Sequence, residues 1–356
     1  MTTNIFSFVI VLSILILVHE LGHFFMARFY GVGVLKFSLG FGPRVVGKTV
    51  GITDYRISAI PLGGYVKMVG DEPDALVDPE DIPLSFNHKP LFQRFLIVAA
   101  GPLSNLLLAV VIFFGLFFIV GIPVLNPIIG KIDAGSPAEQ AGILANDRVT
   151  AIDGKPIDNW EDMAKMITAC QGRPLTMTLV REGRTLNIGV SPQQKASKNL
   201  FGEPIDRYFI GIMSAGDTRI REMSFLESLS ESVAQTYKIA EMTVLSIVKL
   251  IQGTVSTKTL GGPIMIAEMA GQQAKEGATS LIYFIALLSI NLGILNFLPI
   301  PVLDGGHLFF FTIEAIIRRP LSIRLREIAQ QVGIATLILL MIYVFNNDIE
   351  RILFKG

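Results

Sequence analysis

The chain has 356 residues, of which 51% are hydrophobic and only 17% are charged. With a mean hydropathy of +0.55 it is too apolar for an ordinary soluble protein of this length, so we expect a polytopic α-helical membrane protein. The 30 basic and 30 acidic residues leave no net charge, which argues against nucleic acid as a partner. A single cysteine, Cys170, excludes a disulfide framework and cysteine-rich zinc sites, so histidine and carboxylate are the available metal ligands.

Four apolar segments are long enough to cross a bilayer as helices. They run over residues 5–27, 95–120, 281–298 and 328–345. The first segment has neither a basic leader nor a small-residue cleavage site, so we interpret it as a retained span and not as a secretory signal.

The first span ends in the sequence His19-Glu20-Leu21-Gly22-His23. On a helix the two histidines lie one turn apart and point toward one cation, with Glu20 beside them and within reach of a metal-bound water. Ionisable groups are unfavourable in hydrocarbon unless their burial is compensated, and a divalent cation would compensate it. A chance match of this motif is expected on a polar surface helix, so its position here favours a metal site.

Basic residues are concentrated in two short connections, one after the first span and one after the third. They are Arg28, Lys36, Arg44, Lys48, Arg56, Lys67, Lys89 and Arg94 in the first, and Arg318, Arg319, Arg324 and Arg326 in the second. By the positive-inside rule both connections are cytoplasmic, and both termini and the long insert are extracytoplasmic. The polar ends of the first and third spans are then expected at the same cytoplasmic depth.

The connection over residues 31–70 is glycine-rich and alternates polar and apolar residues, which predicts strands. Such strands form either an ordinary cytoplasmic hairpin or a loop that enters the membrane where protein shields it. In the second span, Gly101 and Pro102 predict close packing against the first helix. Asn105 follows them, and packing is the default interpretation of this residue, with substrate contact as the alternative.

A small soluble domain is predicted after the second span, with strands, a capped helix at residues 136–143 and a second helix at 160–169. Residues 135–144 and 146–157 resemble a bacterial PDZ domain, a fold that adds a peptide to a sheet edge. A polar linker at 193–199 and a last strand at 208–213 complete this α+β insert. Residues 225–250 predict an amphipathic helix, either at the outer membrane interface or in the core of the outer domain.

Two histidines leave a hydrolytic zinc site short of one protein ligand. Asp304 is the first acid after the third span, beyond the helix-breaking Pro299 and Pro301, and it lies at the same predicted depth as the histidines. By local sequence alone it is an equally good N-cap for the following helix. Glu314 is the competing carboxylate, and a helix-start or supporting role is predicted for His307.

These motifs together are similar to the site-2 protease family of intramembrane zinc metalloproteases, in particular the bacterial regulator-of-sigma-E group. The likeness rests on the histidine motif, on residues 296–307 (Asn-Phe-Leu-Pro-Ile-Pro-Val-Leu-Asp-Gly-Gly-His) and on the PDZ-like insert between spans two and three. The resemblance implies the following roles: zinc ligands His19, His23 and Asp304; catalytic base Glu20; substrate-binding residues Asn291 and Asn296. It also implies that residues 31–70 form a membrane-associated β-loop that presents the substrate as an extended strand.

The resemblance further implies location in the bacterial cytoplasmic membrane and a single-pass membrane substrate such as a trimmed anti-sigma factor. Members of this group often carry two PDZ domains, whereas this chain has room for one. The predicted organisation is therefore 1–121 (two spans and β-loop), 122–215 (PDZ domain), 216–280 (amphipathic helical region) and 281–356 (two further spans). Two rival functions stay open at this point, a non-catalytic membrane scaffold or transporter and a surface peptidase for soluble peptides.

Overall fold

The computed structural model describes residues 2–72, 77–199 and 201–354, and the chain divides into two compact units. The first unit comprises Met1–Gly115, Ser228–Val248 and Ser256–Gly356, and the second comprises Leu116–Glu227 and Lys249–Val255.

The helices of the described residues are, in chain order, α1 (Thr2–Phe29), α2 (Leu91–Ile119), α3 (Pro137–Gln140), α4 (Trp160–Ala169), α5 (Phe225–Ile251), α6 (Pro263–Glu276), α7 (Ala278–Asn296), α8 (Asp304–Ile317) and α9 (Ile323–Phe354). The strands are β1 (Val34–Val50), β2 (Thr53–Met68), β3 (Ile122–Leu125), β4 (Ile129–Ile132), β5 (Arg148–Ile152), β6 (Lys155–Pro156), β7 (Leu175–Arg181), β8 (Arg184–Val190), β9 (Gln193–Lys198), β10 (Pro204–Phe209), β11 (Ile212–Ser214) and β12 (Thr218–Arg221).

Within the described residues, four helices are long and apolar enough to cross a membrane, namely α1, α2, α7 and α9. This confirms the four predicted spans. The last helix is longer at both ends than the predicted segment, because its terminal turns carry charged residues that lower the hydropathy without interrupting the helix.

In the first unit α1 packs on α6 and α7 around a small apolar core. Its members are Val11, Leu15, Ala270, Phe284 and Ile285. On another side α1 approaches α2 so closely that a Cβ added at Gly22 would lie 2.3 Å from the carbonyl oxygen of Ala100. Ser104 of α2 closes this contact by donating a hydrogen bond to the carbonyl of Val18 at 2.8 Å. Helix α1 is therefore held by α6 and α7 along its middle and by α2 near its end.

The connection between α1 and α2 folds as two long strands, as the alternating pattern predicts. Residues 36–39 of β1 pair with 54–57 of β2 on one side and with 64–67 on the other, while 44–50 pair with 53–58. Among the described residues, 64–68 thus form an edge of this small sheet. Whether the sheet enters the membrane stays a prediction.

The second unit is an α+β structure built on a four-stranded sheet in the order β6-β5-β7-β8. Met163 and Ile167 of α4 pack into a core with strand residues such as Val149, Met177 and Leu179. Helix α4 begins as predicted because the side chain of Asn159 accepts a hydrogen bond from the backbone N–H of Asp162 at 2.9 Å.

Two predictions for this unit are wrong. Residues 193–199 are not a linker, because β9 pairs with β10 in a hairpin over six residue pairs. Every residue of β9 is exposed, so the sequence lacks the apolar alternation that identifies a half-buried strand. The predicted strand 208–213 is split at Gly211, whose φ of +79° ends β10 before β11 begins.

Helix α5 forms over the predicted range, and its middle part belongs to the first unit. Thr243 of this helix donates a hydrogen bond to Asn291 of α7 at 2.8 Å. Residues 228–248 are therefore not a core helix of the outer domain, which was one of the two predictions for this segment.

Candidate metal centre and active site

Three predicted residues converge in the first unit, two from α1 and one from the start of α8. The Nε2 atoms of His19 and His23 lie 3.2 Å apart, and the Oδ2 atom of Asp304 lies 3.0 Å and 3.5 Å from them, respectively. Asp304 lies at least 281 positions after the histidines in the sequence. The packing of α1 against α6 and α7, the two helices before α8, places Asp304 beside them. These are the only three described histidine, cysteine or acidic residues that meet as a possible metal cluster.

The three distances suit one tetrahedral zinc ion. Zinc binds imidazole nitrogen and carboxylate oxygen at about 2.0–2.2 Å, so neighbouring ligand atoms around a tetrahedron lie about 3.3 Å apart. The observed separations of 3.0, 3.2 and 3.5 Å bracket this value.

The carboxylate of Asp304 supports the same assignment. Its Oδ2 atom is buried and makes no hydrogen bond of acceptable geometry, although two imidazole nitrogens lie beside it. A buried carboxylate oxygen without a hydrogen-bond donor is the expected state of a metal ligand.

Asp304 does not cap α8, which was the alternative for this residue. The N-cap position is Leu303, and no side chain caps this helix terminus. Glu314, the competing carboxylate, is buried elsewhere and accepts hydrogen bonds from Arg326 and from the backbone N–H of Leu321. Its charge is therefore already compensated.

Helix α2 supports the two histidines in ways that the histidine motif alone does not indicate. The Nδ1 atom of His23 donates to the carbonyl of Ile97 at 2.9 Å, which leaves Nε2 free to face Asp304. A Cβ added at Gly101 would lie 2.2 Å from His23 Nε2 and 2.9 Å from His19 Cε1. The small residue of the second span is thus the position where α2 approaches the metal cluster.

A cavity of about 570 Å³ opens beside the cluster. Its lining includes the three converging residues, Glu20, His307, Arg326 and the edge-strand segment 64–68. Gly64 leaves room for Glu20, since a Cβ added there would lie 3.2 Å from Glu20 Cγ, and the backbone N–H of Val66 faces the Glu20 carboxylate. Glu20, the metal cluster and the strand edge therefore line the same cavity.

The two asparagines predicted to bind substrate are not among the described residues that line this cavity. Asn291 uses its Oδ1 atom to accept the hydrogen bond from Thr243. Asn296 is the last residue of α7 and is partly buried. Their role in substrate binding stays a prediction.

Comparison with known proteins decides the family. The sequence model of Peptidase family M50 matches residues 7–340. The chain belongs to peptidase family M50. This is the site-2 protease family that the motifs predict, and its members use zinc, so the M50 peptidase described here is a membrane zinc metalloprotease.

Full-length relatives of this M50 peptidase occur in several bacteria. It is 37% identical to a protein of Rhizobium meliloti (strain 1021), covering 97% of this chain and 96% of that protein. It is also 37% identical to a Campylobacter jejuni protein (97% and 93% covered) and 31% identical to one of Neisseria meningitidis serogroup A (98% and 99% covered). All three relatives carry the name "Putative zinc metalloprotease". The Neisseria alignment extends over 451 positions, so that relative contains segments that this chain lacks.

Proposed function

We propose that this M50 peptidase hydrolyses a peptide bond within or near the transmembrane segment of a single-pass membrane protein. The observation that carries the proposal is the convergence of His19, His23 and Asp304 at a cavity that Glu20 and a free strand edge also line. The Nε2 atoms of the two histidines and Oδ2 of Asp304 are the atoms that would hold zinc.

When bound, zinc supplies a Lewis acid that polarises a peptide carbonyl and acidifies water. Glu20 follows His19 on α1 and reaches the same cavity, so its carboxylate takes the proton from the attacking water. The same group then returns the proton to the leaving amine of the cleaved peptide. His23, held by the Ile97 carbonyl, keeps one imidazole in a fixed orientation during this sequence.

The edge strand at residues 64–68 supports the proposal that the substrate binds as an extended strand. A membrane helix shields its own backbone carbonyls, so it must unwind locally before any of them can be attacked. Pairing of the unwound segment with a free strand edge would recover the lost hydrogen bonds, as in other cases of strand addition. Because the backbone N–H of Val66 faces the Glu20 carboxylate, a strand added at this edge would pass close to the catalytic base.

Asn291 and Asn296 are proposed to bind the unwound part of the substrate. Asn291 accepts from Thr243 through Oδ1, and a carboxamide in this state still has two N–H groups to donate. Peptide carbonyls released from a helix are the matching acceptors.

The cellular setting follows from the charge distribution. The basic connections support a topology with the cavity toward the cytoplasm and the second unit outside the bacterial cytoplasmic membrane. We infer that the second unit is a single PDZ domain that receives a peptide or protein partner, and that the substrate is of the trimmed anti-sigma-factor type cleaved in regulated intramembrane proteolysis. The resemblance of residues 135–157 to bacterial PDZ sequences and the capped helices of this unit support the inference.

Cleavage of a purified reporter with one transmembrane segment tests the proposal. Glu20→Gln removes the base and keeps the shape of the side chain, so we expect loss of cleavage by at least about 100-fold with zinc still bound. Glu80→Gln is the matched control, because Glu80 is exposed and is not among the described residues that line the cavity. Unchanged cleavage by Glu20→Gln would overturn the role of Glu20 as the base. Absence of cleavage by the wild type would favour a scaffold or transporter, and cleavage of soluble peptides alone would favour a surface peptidase.

A further inference from the structure

The face of α2 that meets α1 places three residues in a row, each four positions after the last. Ile97 gives its backbone carbonyl to His23, and Gly101 makes room for both imidazoles. The third residue is Asn105, whose Nδ2 atom lies 3.3 Å from Nδ1 of His19. Residues four apart share one face of a helix, so α2 places one polar group behind each histidine.

Asn105 is fully buried, and it is not among the described residues that line the cavity. Its Oδ1 atom is buried and has no hydrogen-bond partner within the described structure. A buried carboxamide oxygen without a hydrogen-bond donor is unfavourable, so packing alone does not account for a polar residue here. Contact with substrate, the alternative from the sequence, does not fit a side chain that is closed off from the cavity.

The protonation of the His19 ring in the metal-bound state explains why a carboxamide lies beside it. Nε2 of His19 faces His23 and Asp304, so it is the atom that must be free of a proton to bind a metal. A neutral imidazole then carries its proton on Nδ1, and that N–H needs an acceptor. A half-turn of the Asn105 carboxamide about Cβ–Cγ brings Oδ1 to the position that faces Nδ1 and gives this oxygen a donor, while Nδ2 moves to the position that Oδ1 has in this structure.

We propose that Asn105 is a positioning residue of the zinc centre, and that its side-chain oxygen accepts the Nδ1–H hydrogen bond of metal-bound His19. This fixes the ring orientation and the tautomer in which Nε2 is free. The carboxamide suits this place because it donates to the bare Nδ1 of the metal-free ring and accepts from the protonated Nδ1 of the metal-bound ring. The inference rests on the zinc centre of the proposed function.

Zinc affinity of the purified full chain in detergent, measured by competition with a fluorescent zinc chelator and without substrate, tests this role. Asn105→Leu removes the acceptor while keeping a similar volume, and we expect a 10- to 100-fold loss of affinity. Asn105→Asp keeps an oxygen acceptor at the same position, and we expect affinity within about threefold of wild type or tighter. Asn105→Ala repeats the removal if the leucine variant does not fold.

Ser289→Ala is the matched packing control. Ser289 is also fully buried and donates a hydrogen bond to the backbone carbonyl of Asn105 at 2.7 Å, so its loss weakens the contact of α2 with α7 without touching the ring of His19. We expect this variant to lose thermal stability and to keep wild-type zinc affinity.

If the wild-type protein binds one zinc per chain, three results would overturn the role of Asn105 and leave the zinc centre of the proposed function intact. These are wild-type affinity in both Asn105→Leu and Asn105→Ala, an equal loss of affinity in Ser289→Ala, and failure of Asn105→Asp to retain affinity. A wild-type chain that takes up no zinc would overturn the zinc centre of the proposed function, and this inference with it.

Discussion

Replacing Gly101 with alanine places a methyl group where two imidazoles lie. The new Cβ would be 2.2 Å from Nε2 of His23 and 2.9 Å from Cε1 of His19, whereas real Cβ atoms keep contacts of at least 3.0 Å. The His23 nitrogen must therefore move by at least about 0.8 Å, unless α2 moves away from α1. Metal–ligand distances tolerate only about 0.2 Å, so the three ligand atoms can no longer meet around one ion.

The expected loss of zinc affinity exceeds about 100-fold, or about 2.8 kcal/mol, because exchanges that merely disturb the support of a ligand already cost 10- to 100-fold. Gly115→Ala is the control, since Gly115 lies on the same helix and a Cβ there meets nothing within 4 Å. That variant should bind zinc normally and gain up to about 1 kcal/mol of helix stability. Zinc competition and thermal unfolding in detergent measure both effects. Wild-type zinc affinity in Gly101→Ala would refute the placement of α2 against the histidines.

Three further outcomes are expected. Removing zinc with a chelator should lower the melting temperature of the full chain, because zinc at 100 times its dissociation constant stabilises the bound state by about 2.7 kcal/mol; a melting temperature independent of zinc would contradict this. Met163→Ala should destabilise the second unit by about 2–5 kcal/mol, because this side chain is fully buried in its core; Trp160, the single tryptophan, packs against that core and reports the change by fluorescence, and an unshifted transition would contradict it. Burial raises the pKa of Asp147, but two hydrogen bonds of 2.7 Å from Arg181, the backbone N–H of Leu144 and the Arg181 charge together outweigh burial and hold that pKa below its usual range. The ionised Asp147 therefore stabilises the folded unit above about pH 4, and this stabilisation is lost as the pH falls through the lowered pKa. Arg181→Ala should destabilise the unit by about 3 kcal/mol near neutral pH, and its acid unfolding should begin at a higher pH than that of the wild type. An unchanged acid transition would contradict this.

The spans and the histidine motif were predictable because both depend on short-range patterns. A helical period fixes the distance between His19 and His23, and hydropathy fixes the four long helices. The third member of the cluster needed a second physical argument, since Asp304 was an equally good N-cap by local sequence. Depth in the membrane, derived from the basic connections, favoured it over Glu314, and the structure brings Asp304 to the histidines.

The support around the histidines was not predictable from local patterns. The acceptor for His23 is the backbone carbonyl of Ile97, and a backbone group leaves no trace in the sequence. Asn105 is detectable in the sequence, because an amide within a strongly apolar span needs a hydrogen-bond partner. Only the structure shows that this partner is His19. The β9–β10 hairpin was missed for the opposite reason, since a strand with every residue exposed has no periodic signal.

Zinc stoichiometry with anomalous X-ray scattering at the zinc edge tests the central claim most directly. The account predicts one zinc ion per chain, bound by Nε2 of His19, Nε2 of His23 and Oδ2 of Asp304, and a fall in zinc content well below one in Asp304→Ala. A zinc ion located elsewhere in the chain, or full zinc content in Asp304→Ala, would contradict it.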